Sequence, residues 1–469
     1  MSILIKGGRV ITAADDYVGD VLVEGERISL IGESLDVEAD RVIDASGKYL
    51  LPGCVDPHTH LDMPFGGTVT ADDFESGHTA AAFGGTTTHV DFCIQPPGTS
   101  FGEALSMWHA KREGKAIIDN GFHIAITDLH DGGSLEELAS LPEQGITSYK
   151  LFMAYKGALM VDDDTLYRAM EVAAQSGALV MVHAENGDVI DILVREALEA
   201  GHIEPLYHAL TRPPEVEGEA TNRAIQLAHL AGAPLYVVHV TCREAVEPIA
   251  AARVKGWRVW GETCTQYFFN SLEDIAKPDF EGAKYVYSPP VRDKSNWDVL
   301  WNAVRSDALS AISTDHCAFT WAEQKHMGRD DFSKIPNGGP GLENRLHMIH
   351  HFGVREGRIT LNRMVELLAT NPAKLFGLYP RKGTIAVGSD GDIVVFDPDK
   401  PYLVTAEGQH SRSDYNLYEG TEVVGTPELV LRRGEIIVEG GELTARPGSG
   451  QFIRRARFGE ELRATAPVA

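Results

Sequence analysis

The sequence predicts an α/β protein: a (β/α)8 TIM-like barrel plus a small β-sandwich domain formed by both termini. Three observations carry this. Eight short apolar runs punctuate the middle of the chain, each ending in polar residues. Segments with apolar residues at helical spacing separate most of them. Runs rich in β-branched residues, broken by turn residues, occupy both ends.

Residues 1–53 read as the N-terminal half of the sandwich, with ILIKGGRVIT, GDVLVEGERISLIG and ADRVIDASGKYLL as its strands. The barrel spans 54–376. Its strands are GCVDPHTH, TTTHVDFCIQ, GFHIAITDLH, ITSYKLFMAY, ALVMVHAEN, PLYVVHVT, RVWGETCTQYF and LSAISTDHC. Between them SLEELASL, DTLYRAMEVAAQSG, EATNRAIQLAHLAG, REAVEPIAAARVKG and NWDVLWNAVRSDA read as helices, several closed by Gly. Residues 377–445 return to the β style in GDIVVFDP and TPELVLRRGEIIVEGGEL and complete the sandwich, since either half alone would have a poor core. The Gly-, Arg- and Ala-rich stretch 446–469 reads as a C-terminal arm or loose tail. An open doubly wound sheet would show a Gly-rich phosphate loop after its first strand. GGTTT at 84–88 precedes a strand instead and reads as a turn.

The chain has 469 residues and a net charge of −26, without a block of like charges, so nucleic-acid and anionic-membrane partners are excluded. Its five cysteines (Cys54, Cys93, Cys242, Cys264, Cys317) are odd in number and lack a Cys-x-x-Cys pair, which fits reduced thiols. The opening MSILIKGGRVI has no long apolar core, and no run reaches the roughly 18 apolar residues that span a bilayer. The expectation is a soluble, cytoplasmic protein.

Residues i and i+2 of a strand face the same way. His58 and His60 therefore project together where the first barrel strand ends. Alone, His-x-His is a weak signal of a metal site. The same placement recurs: Lys150 at the end of the fourth strand, His183 on the fifth, His239 on the sixth, Asp315 on the eighth. Catalytic groups converge on that rim in barrels. Four histidines and an aspartate exceed the three protein ligands usual for one catalytic zinc, so two metals are expected. An ammonium at Lys150 would be repelled by two divalent cations. It is therefore deprotonated, placed elsewhere, or converted to an anion such as a carbamate, unless it is a structural lysine paired with an acid. The residues alone leave these open. His316 follows Asp315 and faces the other way, so it reads as structural. His89 sits early in its strand, and His78, His109, His229, His347, His350 and His351 lie in helical segments as satisfied or surface residues.

GCVDPHTHLDMPFGGTVTADDFESG, YKLFMAY, VMVHAENG, VVHVTC, AISTDHC and PNGGPGLENR resemble the dihydropyrimidinase and D-hydantoinase family of cyclic amidohydrolases. ILIKGGRVI and KGTIAVGSDGDIVVFDP match that family's sandwich halves, so the resemblance covers essentially the whole chain. It implies two divalent metals, usually zinc, with a CO2-derived carbamate on Lys150 (N6-carboxylysine) bridging them. His58, His60 and Asp315 would bind one metal, His183 and His239 the other. Asp315 would carry the proton and Tyr155 would stabilise the oxyanion. Backbone groups of Ser288 and Asn337, which otherwise read as turn residues, would hold the imide edge of the ring. Met63, Phe65, Cys93, Phe152 and Leu159 would contact the exocyclic substituent, although apolar loop residues are as often packing.

The implied substrate is a small cyclic amide, and the implied assembly a homotetramer. Allantoinase is the nearer rival activity. Dihydroorotases carry an arginine two residues after the His-x-His, where this chain has Asp62. Non-enzymatic relatives lose metal ligands, whereas all six are present here. A mononuclear deaminase needs no lysine at position 150.

Overall fold

The computed structural model describes residues 1–129 and 133–460. Eight parallel strands form one sheet in sequential order. They are β1 Cys54–Thr59, β2 Thr86–Ile94, β3 Asp119–Ala125, β4 Ser148–Phe152, β5 Leu179–His183, β6 Leu235–Val237, β7 Val259–Cys264 and β8 Ala311–Ser313. The sheet closes where Thr59 bridges to His316 and the His60 N–H donates to the His316 carbonyl over 2.8 Å. Side chains on both faces of these strands are buried almost throughout, which is why they read as continuous apolar runs rather than alternating ones.

All eight expected strands are present, but several end earlier than their apolar runs. β4 stops at Phe152, β6 at Val237 and β8 at Ser313, so Tyr155, His239 and Asp315 lie just past their strands. Each then takes a left-handed backbone, with φ of 67°, 41° and 48° respectively. A backbone turning this way cannot continue the ladder, and it re-aims the side chain over the barrel mouth.

The helices follow from local signals. In Asp163–Ser176 the Asp162 carboxylate accepts the Thr165 N–H, and Leu166, Ala169, Met170 and Ala173 form the buried stripe. Gly177, at φ 77°, ends it in the left-handed region that a side chain would strain. The link from β5 to β6 is longer than expected. It holds helices Gly187–Glu199 and Leu206–Leu210 ahead of Pro214–Ala231, whose start is set by a proline in its first turn.

Both termini build the second unit as one mixed nine-stranded sheet, rather than as two separately hydrogen-bonded sheets. Tyr49–Pro52 joins the halves, pairing parallel to Arg9–Val10 and antiparallel to Ile393–Phe396. Ile3, Val21 and Ile28 from one half meet Val395, Leu431 and Ile436 from the other in one core cluster. With strands about 4.8 Å apart, residues so far across a flat sheet could not touch, so the sheet curls over its own core.

The buried Lys382 ammonium ties the two units together, donating to Asp119 at the start of β3 (2.6 Å) and to Asp392 (2.8 Å), with Asp390 at 3.0 Å. This cation occupies the centre of the Asp119, Asp390 and Asp392 group, which is therefore an ion-pair hub rather than a metal site.

The stretch after Arg446 is an arm through Glu460. It docks at the N-terminal end of the barrel through Asn120 N–H to the Gln451 carbonyl (2.9 Å) and Ile453 N–H to the Asn120 carbonyl (2.7 Å). Ile453 packs there with Val55, Val90, Ala373 and Leu378. The last part of the expected tail, 461–469, lies outside the described residues. Among the described residues no helix is long and apolar enough to cross a membrane.

Candidate metal centre and active site

Strand alternation sends His58 and His60 to the same side of β1, into the barrel mouth. Their Nε2 atoms both lie 3.1 Å from Oδ1 of Asp315. These three ligand atoms are mutually close enough to share one ion. Across the mouth the ring of His239 sits 5.4 Å from His58 and 4.6 Å from His183. Lys150, fully buried on β4, lines the same cavity.

The strained backbone at Asp315 persists because both its neighbours are pinned. Thr314 donates its hydroxyl to Asp56 Oδ2 over 2.7 Å. His316 accepts the Gly341 N–H at Nδ1 (3.2 Å), so its Nε2 carries the proton it donates to Asp72 Oδ2 (3.0 Å). The reading of His316 as a structural residue agrees with this. His89 and His78 are likewise interior partners, joined through Nε2 over 2.7 Å, with His89 bonded onward to Thr59 (2.7 Å).

The donor set fits metal ions. Ligation needs neutral imidazoles. Burial pulls His60 down to about 4 and lowers His183 and His239 as well. For His58 burial is overcome by the carboxylates of Asp315 and Glu262, which raise it to about 9. A proton there offsets negative charge that a divalent cation would offset instead.

Two buried carboxylates orient these ligands from behind. Glu262 takes Nδ1 of His58 at 2.5 Å and turns its Nε2 into the mouth, towards Asp315. Glu185 takes Nε2 of His183 at 2.6 Å, leaves its Nδ1 free, and is held by Arg212 at 2.9 Å. Neither glutamate was assigned a role from sequence. A carboxylate inside an apolar strand run, as in RVWGETC, was the available signal.

The alternatives for Lys150 narrow. It is not placed elsewhere, and among the described residues no acid forms an ion pair with it. Its Nζ faces the rings of Phe152 (4.8 Å) and Phe92 (5.1 Å). Burial pulls its pKa down to about 7 against the opposing pull of Asp315 and Glu262, so a large share of the amine is neutral near pH 7.

Tyr155 stands beside His183, ring centroids 5.2 Å apart, with Phe65 edge-on at 5.4 Å. Burial raises its hydroxyl to about 12 although Arg212 opposes the shift, so it stays a donor. Ser288 and Asn337 meet on the same wall, where Asn337 Nδ2 donates to Ser288 Oγ over 3.1 Å.

Met63, Phe65, Phe152 and Leu159 line the cavity. Cys93 does not, and the expectation for it is corrected. Phe92 faces the mouth, so its neighbour Cys93 points the other way, into the core under the helices. Ile94 and Cys317 line the cavity in its place. Cys317 stands two residues after Asp315, and that spacing could have found it.

Basic, acidic and imidazole groups gathered at the C-terminal mouth of a parallel barrel define the class, a barrel enzyme with a metal-type donor set at its mouth. Comparison with known proteins agrees. The profile of the Amidohydrolase family matches residues 49–437. The D-hydantoinase of Geobacillus stearothermophilus is 55% identical over 98% of this chain and 98% of its own. The crystal structure of dihydropyrimidinase from Brevibacillus agri superposes with a TM-score of 0.96 at 53% identity, covering 98% of this chain and 99% of that one. The L-hydantoinase (dihydropyrimidinase) of Arthrobacter aurescens is more distant, at 31% identity and a TM-score of 0.87 over 97% and 99% of the two chains. The chain belongs to the amidohydrolase family and, within it, to the D-hydantoinase and dihydropyrimidinase group.

Proposed function

We propose that the enzyme hydrolyses the ring amide of 5,6-dihydropyrimidines and 5-substituted hydantoins to N-carbamoyl amino acids. The observation that carries this reading is the meeting of His58, His60, Lys150, His183, His239 and Asp315 in one cavity whose outer wall is apolar. In this reading His58, His60 and Asp315 hold one metal, and His183 and His239 the other. Lys150, as a carbamate formed when its neutral amine adds to CO2 and releases a proton, would offer an oxygen to each. Two divalent cations, when bound, lower the pKa of a shared water and polarise a carbonyl oxygen. Zinc suits so imidazole-rich a donor set.

The chain's own groups do the rest. Backbone groups of Ser288 and Asn337 hold the imide edge, so the adjacent ring carbonyl faces the metal ligands. Water adds to that carbon. Asp315 takes one proton of the water and returns it to the ring nitrogen as the C–N bond breaks, leaving a terminal ureido NH2 and a carboxylic acid, which ionises to the carboxylate by releasing the water's second proton to solvent. The Tyr155 hydroxyl donates to the developing oxyanion, a role its high pKa suits. Met63, Phe65, Phe152 and Leu159 favour an apolar group at the ring's 5-position.

The homotetramer and the cytoplasm complete the reading. Exposed Val189, Ile192, Ile203 and Leu210 offer apolar surface of the kind subunit contacts bury, and the five cysteines are free thiols. A ring-opening assay on dihydrouracil, hydantoin, 5-phenylhydantoin, allantoin and dihydroorotate tests the substrate class. The first three should be opened faster, and a preference for allantoin or dihydroorotate would overturn the proposal.

A further inference from the structure

Lys325 is fully buried, and among the described residues no carboxylate pairs with it. Its ammonium donates instead to three backbone carbonyls: Val286 at 2.8 Å, Pro336 at 2.7 Å and Gly338 at 2.6 Å. Those three donors are all an ammonium has. The acceptors are not scattered. Val286 lies two residues before Ser288, while Pro336 and Gly338 flank Asn337. The Val286 carbonyl also accepts the Gly338 N–H over 3.0 Å, so the two segments are stitched together around the cation.

The stitched unit is fixed against the reacting centre. Gly338 has φ 146°, and a Cβ there would lie 2.2 Å from the Cys317 carbonyl oxygen, two residues from Asp315. Gln324, next to Lys325, donates to the Val69 carbonyl (2.6 Å) and to Thr68 Oγ1 (2.9 Å), which secures the hairpin that begins at Pro64 and carries Phe65. A methionine would fill the space of Lys325 without the cost of burying a charge. Burial lowers the Lys325 pKa to about 7, so what sets the residue apart from a methionine is its directed hydrogen bonding to three carbonyls and the geometry those bonds impose.

We propose that Lys325 is the positioning residue of imide-edge recognition: its three hydrogen bonds set the spacing between the backbone groups of Ser288 and Asn337, and so select rings carrying a nitrogen between two carbonyls. This rests on the proposed role of Ser288 and Asn337 as the groups that hold that edge. Lys325 touches no substrate atom in this scheme and acts only through the two loops.

The test uses full-length, metal-loaded enzyme. Lys325→Met should raise KM for hydantoin about tenfold or more while kcat stays within about threefold and metal content per chain is unchanged, since a misplaced binding group weakens holding more than chemistry. Calorimetric titration separates this from general loosening. Succinimide has two carbonyls on one nitrogen, and 2-pyrrolidinone has one. The variant should lose affinity for succinimide about tenfold and keep its affinity for 2-pyrrolidinone. Unchanged KM, or equal weakening of both ligands, overturns the proposal. If Lys325→Met does not fold, Lys325→Gln decides, because its amide has only two N–H donors for the three carbonyls and should show the same selective loss for succinimide over 2-pyrrolidinone. Wild-type turnover of hydantoin checks the substrate reading separately, whereas the two-ligand comparison reads the Lys325 role without turnover.

Discussion

Oε1 of Glu262 lies 2.5 Å from Nδ1 of His58 on the floor of the active-site cavity, and Oε2 of the same carboxylate accepts the Tyr236 hydroxyl at 2.9 Å. The glutamate is thus held from below and fixes which nitrogen of His58 faces Asp315 above. Ring orientation is set before any metal arrives, so little freedom remains to be lost on binding. On the other side of the cavity Arg212 and Glu185 do the same for His183. The two carboxylates seize opposite ring nitrogens, which makes the two halves of the site unlike one another.

Glu262→Gln should therefore lower metal affinity at the His58 half by about 10–100-fold, the range typical when such a partner is lost. The amide keeps the shape but removes the charge that steadies the imidazole. Competition with a chelator, followed by metal analysis per chain, measures it. Affinity equal to wild type would show that Glu262 serves only packing.

Lys150→Ala should cost one metal per chain and abolish hydrolysis, because the proposed carbamate supplies an oxygen to each site. Lys150→Ala given a short carboxylate such as acetate or propionate should recover part of both, as the small acid can enter the vacated volume. Full turnover without the lysine would exclude the bridging role.

Much of this was legible in sequence, for identifiable reasons. Parallel strands covered on both faces must be apolar throughout, so the eight runs stood out and the polar residue ending each run marked the rim. His58, His60, Lys150, His183, His239 and Asp315 came together for that reason. Contacts that depend on distant packing were not legible. Nothing local in RVWGETC says that Glu262 reaches His58 on another strand, and nothing near Lys325 names its three carbonyl partners. The expectation for Cys93 comes from resemblance alone, whereas the face set by Phe92 on the same strand decides its direction. The curled single sheet was hidden because pairing between chain ends leaves no local pattern.

Leu159 borders the cavity on its apolar side. Shortening it to alanine removes contact only where a substrate fills that side. Leu159→Ala should lower kcat/KM for 5-phenylhydantoin about tenfold, the scale of lost apolar contact in a pocket, and leave dihydrouracil within about twofold. Initial rates over a substrate series decide it. Equal losses for both would place the 5-substituent elsewhere.

Asp72 provides a prediction in pH. Its buried carboxylate accepts from His316 Nε2 (3.0 Å), the Arg412 N–H (2.8 Å) and Ser76 Oγ (2.7 Å), and it also takes the Ser411 hydroxyl. Burial would raise its pKa, but the hydrogen bond from His316, with those from Arg412 and Ser411, holds it near 2, against an ordinary value of 3.8. A carboxyl whose pKa is depressed in the folded chain binds more protons unfolded across that interval, so stability rises with pH there. The contribution, on the order of 2 kcal/mol by linkage, is complete above about pH 4 and is lost as pH falls towards 2. Asp72→Asn should lower Tm clearly at pH 7 and progressively less as pH drops to 3. Because His316 also pins the backbone beside Asp315, the same variant should lower kcat at pH 7. Melting curves of both proteins across that range measure the first effect. A Tm difference that does not shrink with acidification would mean that Asp72 stabilises the fold through its shape rather than its charge.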